Sequence, residues 1–315
     1  MDPYVADLFH LVLIIACYGG LSRAIAHAFL KKPGRGSILY GCPRLVYNCP
    51  VSHERLYRTE AVVLRRHDFG EADRLLTLYT PDLGKFKALA KGVRKIASRK
   101  AGHLELFMRS QLLLARGRDL DIITQAEAIE TYRPLREDLI RATYAAYVVE
   151  LLDRFVEEAN ENPPLYELLV ATLARLAQAR DLALVVRYYE LHVLSLVGYQ
   201  PQLFRCVACG TLLEPEDQFF SPALGGVLCP QCGSAHPGEA LPLSLPALKV
   251  LRFAQTRPYA EVANLHLRPA LHAELERILQ QYITYLLERN LKSVEFLRLL
   301  RREALQGNAT ATEPG

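Results

Sequence analysis

TEAVVLRRHDFGEADRLLTLYTPDLGKFKALAKGVRK, residues 59–95, is the stretch on which the fold turns. Its apolar residues come in runs of strand length, and each run ends at a turn signal: Gly70, Pro81-Asp82-Leu83-Gly84 or Gly92. Leu76, Leu78 and Tyr79 interleave with Arg74 and Thr77, the alternation of a half-buried strand. Followed outward, the pattern gives RTEAVVLRRHDF, EADRLLTLYTPDLG, GKFKALAKGVRK, HLELFMRSQLLLARG and DLDIITQAEA, with Gly117 before the last. Five short strands in about 80 residues, with no helical period between them, predict a small closed or partly open OB-type barrel over residues 55–135.

This segment is also the most basic part of the chain. The whole protein is 315 residues long, half of them apolar, with a formal charge of only +4. That composition excludes a disordered acidic chain but is too mild to establish a nucleic-acid partner. Residues 55–135 hold 16 Lys and Arg against 10 Asp and Glu, whereas residues 136–240 hold 7 against 14. Within the basic part, Lys85, Lys87, Lys91, Arg94, Lys95, Arg99 and Lys100 follow one another with no acid between them. Cations alternating along a strand and continuing into a Gly/Ser loop can follow a phosphate backbone by releasing its counterions. Phe69, Tyr79, Phe86 and Phe107 lie nearby and read first as barrel core rather than as base-stacking rings.

After Pro134 the period becomes helical. Tyr144, Tyr147, Val148, Leu151, Leu152 and Phe155 form one apolar stripe of a helix expected to end near Asn160. Asn162-Pro163-Pro164 reads as a second helix start, and a third stripe from Leu182 to Val197 stops at Gly198. Ser244 with Pro246 opens a further helix, and Leu271 to Leu286 mark a long one expected to run past Ser293 to Arg302. One helical domain, residues 136–200 with 240–305, is therefore expected to be interrupted by residues 201–239.

The interruption holds Cys-x2-Cys at Cys206 and Cys209, nineteen residues, then Cys-x2-Cys at Cys229 and Cys232. Two cysteines three apart on a tight turn can put both sulfurs on one ion, and two such pairs complete a tetrahedron. The expectation is one structural Zn²⁺ in a zinc ribbon, with no coordination position left for substrate. Gly210 and Gly233 after the pairs are expected to take the left-handed conformation of such turns. His236 reads as a surface residue, and a dithiol redox site is disfavoured by the second pair and the lack of a βαβ context.

Residues 1–54 look like an appendage. The apolar run at residues 8–17 is too short to span a bilayer, and Asp2 and Asp7 precede it where a signal peptide would be basic. The Pro/Gly-broken stretch after it reads as loop or disordered linker, and Cys17, Cys42 and Cys49 as incidental. One account is an interaction segment that touches a membrane or a partner. Another is a natural start downstream, at Val51 or Leu56. The tail from residue 306 is expected to be disordered.

No GxxxxGK[ST], GxSxG or HExxH is present, and no GxGxxG follows a strand, so an enzyme is not expected. The order of parts resembles the RecO family of bacterial recombination-repair mediators. Residues 59–95, QAEAIETYRPLREDL at 125–139 and FFSPALGGVLCPQCG at 219–233 carry the resemblance, which covers residues 55–303. It implies an α+β protein: a five-stranded OB-type barrel followed by an all-α domain with an inserted four-cysteine zinc ribbon. It further implies a non-enzymatic cytoplasmic, nucleoid-associated mediator. Such a protein binds single- and double-stranded DNA, anneals complementary strands and works with RecR, often with RecF, to let RecA replace single-strand-binding protein. The family's DNA-binding face then falls on the seven bases named above, with Arg65, Arg66 and Arg74 as weaker members. The acidic tail of single-strand-binding protein would dock on the helical domain, where Arg268, Arg298, Arg301 and Arg302 lie. A zinc-ribbon adaptor acting by protein contact and an RNA-binding factor are the alternatives.

Overall fold

The computed structural model describes residues 55–235, 238–288, 291, 293 and 294. Expectations for residues 1–54, with Cys17, Cys42 and Cys49, lie outside the described residues, as do those for His236, Arg298, Arg301, Arg302 and the tail. Backbone proximity divides the chain into Met1–Ser52 and His53–Gly315, and the description concerns the second unit.

Five strands close a barrel: β1 (Leu56–Phe69), β2 (Asp73–Thr80), β3 (Gly84–Ala90), β4 (Arg109–Ala115) and β5 (Asp121–Glu130), in the order β1-β2-β3-β5-β4. All pairings are antiparallel except β3 with β5, which is parallel and short. Ala61, Val63, Leu76, Leu78, Ala88, Leu112, Leu114 and Ile123 fill the barrel. The fourth expected segment starts late, because Ala101–His103 form a single 3-10 turn and Phe107 has φ 68°.

The reading of the second segment as half-buried is overturned. Leu76 to Thr80 on β2, like Ala61 to Leu64 on β1, are buried on both faces. One face fills the barrel, while Val62, Leu64 and Tyr79 join the core of the helices outside it.

That outer core belongs to α1 (Pro134–Glu137), α2 (Leu139–Phe155), α3 (Pro163–Gln178) and α4 (Leu182–Leu196). The carboxylate of Asp138 accepts from Ile140 N (2.8 Å) and Arg141 N (3.1 Å) to cap α2, and Asn162 and Asp181 cap the next two in the same way. α2 ends at Phe155, short of the expected Asn160, and residues 156–162 turn back onto the barrel.

The chain then leaves for the ribbon: β6 (Gln218–Ser221), β7 (Gly226–Leu228), the short α5 (Pro230–Ser234) and β8 (Leu241–Leu243), in sheet order β7-β6-β8. It returns as α6 (Leu245–Thr256), α7 (Tyr259–Val262) and α8 (Pro269–Leu287). Leu248, Leu251, Leu275 and Ile278 of the returning helices share one core with Leu184, Val185 and Leu191 of α4. The last helix does not run on unbroken past Ser293 as expected: it stops at Leu287, where Glu288 takes φ 52°, and the rest of the expected run, residues 295–302, lies outside the described residues. Among the described residues no helix is long and apolar enough to cross a membrane.

Candidate nucleic-acid interface and metal centre

The ten bases singled out in the sequence divide into two groups. Arg65 and Lys85 both pair with Asp153 of α2, and Lys85 Nζ also donates to the Asp153 carbonyl at 2.7 Å. Lys87 pairs with Glu158 at 2.7 Å, an ion pair that holds the Glu158 carboxyl below its usual range. The cause is topological: β3 meets β5 only at Ala88 and Leu89, and the rest of its edge is taken by residues 156–162. Ala159 N donates to Lys85 O at 2.9 Å, and Gly84 lies so close that a Cβ would sit 2.2 Å from Asn160 O.

Arg66 and Arg74 face Glu105, and Arg74 also reaches Asp68 at 3.2 Å. Lys100 Nζ donates to Ile123 O at 2.7 Å, and burial draws its ammonium below the usual lysine range. These six, and Arg94 on the loop that follows, are held by acids or carbonyls of the same chain, and a phosphate would have to displace those partners.

The other four stand on the loop after β3. Lys91, Arg94, Lys95 and Arg99 are exposed. Arg94 lies 3.5 Å from Asp68 and donates to Gly70 O at 3.3 Å; Lys91, Lys95 and Arg99 meet no acid among the described residues. The loop is anchored at both ends, by buried Val93 and by Lys100. A second basic set, Arg55, Arg58, Arg116 and Arg118, is exposed where β1 begins and β4 ends, with Arg116 N donating to Arg55 O at 2.8 Å. Its signal in the sequence was dispersed, since antiparallel pairing of β1 with β4 is what sets the start of β1 against the end of β4, Leu56 opposite Ala115 and Arg58 opposite Leu113.

Of the four aromatics, Tyr79 and Phe107 are buried and Phe86 packs on the barrel core, but Phe69 is exposed. The assignment of Phe69 to core is therefore corrected. β1 projects beyond the barrel wall, and His67, Asp68 and Phe69 are all exposed there.

The barrel and helices are joined by a charged hydrogen-bond cluster. Glu60 Oε1 of β1 accepts from Arg109 Nε (2.6 Å) on β4 and from Tyr166 OH (2.5 Å) on α3. Burial opposes ionisation of Glu60, but these two donors prevail and its carboxyl lies below the usual range.

In the ribbon, the sulfurs of Cys206, Cys209, Cys229 and Cys232 all lie within 4.8 Å of one another, and Cys209 Sγ is 3.9 Å from Cys229 Sγ. Tetrahedral Zn–S bonds of about 2.3 Å require sulfurs about 3.8 Å apart, so the quartet can hold one metal ion. The thiols divide electrically. Hydrogen bonds from Thr211 bring Cys209 down to about 6, whereas hydrogen bonding with Cys229 and Cys209 pushes Cys232 up to about 12. Four thiolates at this spacing need a cation between them.

Gly210 has φ 75°, as its place after a cysteine pair predicts, and its N–H donates to Cys206 O at 2.9 Å. Gly233 departs from the expectation: it sits in α5 without positive φ, and is glycine because a Cβ would lie 2.2 Å from Phe219 Cδ2.

Residues 55–132 match the family model described as Recombination protein O N terminal, and residues 136–295 match Recombination protein O C terminal. Curated relatives include a protein of Roseiflexus sp. (strain RS-1), 45% identical over 249 residues, 79% of this chain and 87% of the relative. One of Pelotomaculum thermopropionicum is 42% identical over 77% of this chain and 94% of the relative. One of Dehalococcoides mccartyi (strain ATCC BAA-2266 / KCTC 15142 / 195) is 37% identical over 79% and 98%. Each of the three is named DNA repair protein RecO.

Proposed function

The chain belongs to the RecO family of DNA repair proteins, and on that premise we propose that it is a non-enzymatic mediator of recombination. It binds single- and double-stranded DNA on the barrel and anneals complementary strands. With RecR, and with RecF where present, it helps RecA displace single-strand-binding protein. The observation that carries this reading is the anchored loop on which Lys91, Lys95 and Arg99 are exposed and meet no acid among the described residues. Cations held out from a rigid barrel neutralise phosphates without first breaking internal pairs, so binding is salt-dependent and tolerant of sequence. Arg55, Arg58, Arg116 and Arg118 extend that field toward the barrel's other end, and screening of two strands at once favours annealing.

The metal is one structural Zn²⁺ on the four cysteines. Those ligands saturate it, and its work is to hold the ribbon against the helices rather than to activate a substrate. For the acidic tail of single-strand-binding protein, the helical domain offers a cleft of about 680 Å³ lined in part by Arg175, Arg180, Tyr259, Leu265 and Leu267. Exposed Arg268 follows directly at the start of α8. Arg175 lies over the Tyr259 ring at 4.2 Å, and its Nη1 is buried without a hydrogen-bond partner. An acidic peptide suits the cationic lining and the unpartnered Arg175 nitrogen. The protein would act in the cytoplasm, on the nucleoid.

Titration with fluorescent DNA oligonucleotides at several salt concentrations tests the proposal. Charge reversal of Lys91, Arg94 and Lys95 is expected to weaken binding at low salt by more than tenfold, at about 1.4 kcal/mol per decade. Unchanged affinity in that variant, or negligible affinity of the natural protein at low salt, overturns the DNA reading. A preference for RNA over single-stranded DNA would favour an RNA-binding factor.

A further inference from the structure

We propose that Phe69 and Ile96 grip the unpaired bases of single-stranded DNA while the cations around them hold its phosphates. The inference rests on the DNA-binding reading above and deepens it. Phe69 is 51% exposed at the end of β1, and Ile96 is fully exposed at the crest of the basic loop. Ser98 N donates to Lys95 O at 2.9 Å, which closes a turn with Ile96 and Ala97 at its two central positions.

This crest is held in place. Val93 is buried in the barrel, Gly92 N donates to the Asp73 carboxylate at 2.7 Å, and Arg94 N donates to Ala72 O at 2.9 Å. The Arg94 guanidinium ties the loop to the β1–β2 turn through Gly70 O and Asp68. Phe69 at the end of β1 and Ile96 on the loop after β3 thus belong to neighbouring segments joined by hydrogen bonds, with Lys91, Lys95 and Arg99 along the loop.

Apolar side chains normally leave water when any core is within reach; here local backbone hydrogen bonds hold one outward beside Lys91, Lys95 and Arg99, which meet no acid among the described residues. The surface therefore complements a flexible polyanion that carries flat apolar faces, which is a single strand with its bases unstacked. A duplex hides those faces, and an acidic peptide would satisfy the cations but not the ring.

The test compares a thymidine oligonucleotide with an abasic oligomer of equal length and charge. The natural protein is expected to bind the first about tenfold more tightly, as stacking energies per base require. Phe69→Ala with Ile96→Ser should abolish that preference while leaving the salt dependence of binding unchanged. The chain contains no tryptophan, so Phe69→Trp supplies a single reporter whose emission should be quenched by the thymidine strand and not by the abasic one. Equal binding of both oligomers by the natural protein overturns the inference but leaves the phosphate-binding reading standing. Loss of a protein partner in the double variant, with base preference retained, overturns it in favour of a protein interface. If neither oligomer binds at low salt, the DNA reading fails and this inference with it.

Discussion

At Gly84 a single missing Cβ decides how β3 meets the helices. Its φ of 64° and the 2.2 Å approach of Asn160 O leave no room for a side chain, so Gly84→Ala should lower stability by on the order of 3 kcal/mol. Chemical denaturation measures this, and a change under 1 kcal/mol, by the same rough scale, would refute the close approach. Gly233→Ala should likewise destabilise, through Phe219, although alanine in a helix ordinarily stabilises. Glu190 presents a different case. It is completely buried on α4, accepts from Tyr147 OH and pairs with Arg187 Nη2 at 2.9 Å. Burial outweighs the Arg187 charge and raises its carboxyl to about 7. A raised carboxyl holds its proton more tightly in the folded state. Its contribution is therefore full below about pH 4.5 and is lost as pH rises through about 7, on the order of 3 kcal/mol in all. Relative to Glu190→Gln, the natural protein should lose stability across that window; a parallel pair of stability curves would contradict the assignment.

The element-scale distinction lies between the strand β3 and the loop that follows it. Both carry bases, and in the sequence they form one run, but the outward face of β3 meets Asp153 and Glu158 whereas the loop meets solvent. Neutralising Lys91, Lys95 and Arg99 should reduce the slope of log affinity against log salt by about 0.7 for each single-strand phosphate left without its cation. Lys85→Ala should instead lower stability with that slope unchanged, because its ammonium lies between barrel and α2. Fluorescence anisotropy across a salt series separates the two outcomes. The ribbon is tied in at the same scale. Phe220 and Val227 belong to the helical core, and Phe220 meets the Tyr282 ring edge-on with centroids 5.4 Å apart. Removal of metal by a chelator, or Cys206→Ser, should therefore raise amide exchange both in residues 206–232 and around Tyr282 of α8. Exchange confined to the ribbon would mean the metal braces nothing beyond it.

Across the described residues the outer face of the barrel shares the core of the helices, because Val62, Leu64 and Tyr79 lie in that core and Glu60 is clasped by Arg109 and Tyr166. Urea unfolding should accordingly show one transition by circular dichroism and by a barrel reporter alike; two separated transitions would mean independent domains. The order of parts, the strand runs, the helix starts at Asn162 and Ser244 and the cysteine quartet were all legible in the sequence. Each is a local matter of periodicity, turn chemistry or ligand spacing. Residues such as Val62 and Val63 could not be assigned to different cores from pattern alone, since alternation shows two faces but not what covers each. Nor could charge counting separate Lys85 from Lys91, or core habit separate Phe69 from Phe107. Whether a cation is free, and whether a ring is buried, depends on which distant segment packs against it. By itself the sequence determined the family, the fold class and the cysteine quartet that can hold a metal ion. Only the tertiary structure decided which bases stay available to a phosphate, because the groups that occupy Lys85 and Lys87 arrive from α2 and the loop after it, about 70 residues along the chain, and Glu105 comes from before β4 to meet Arg66 and Arg74.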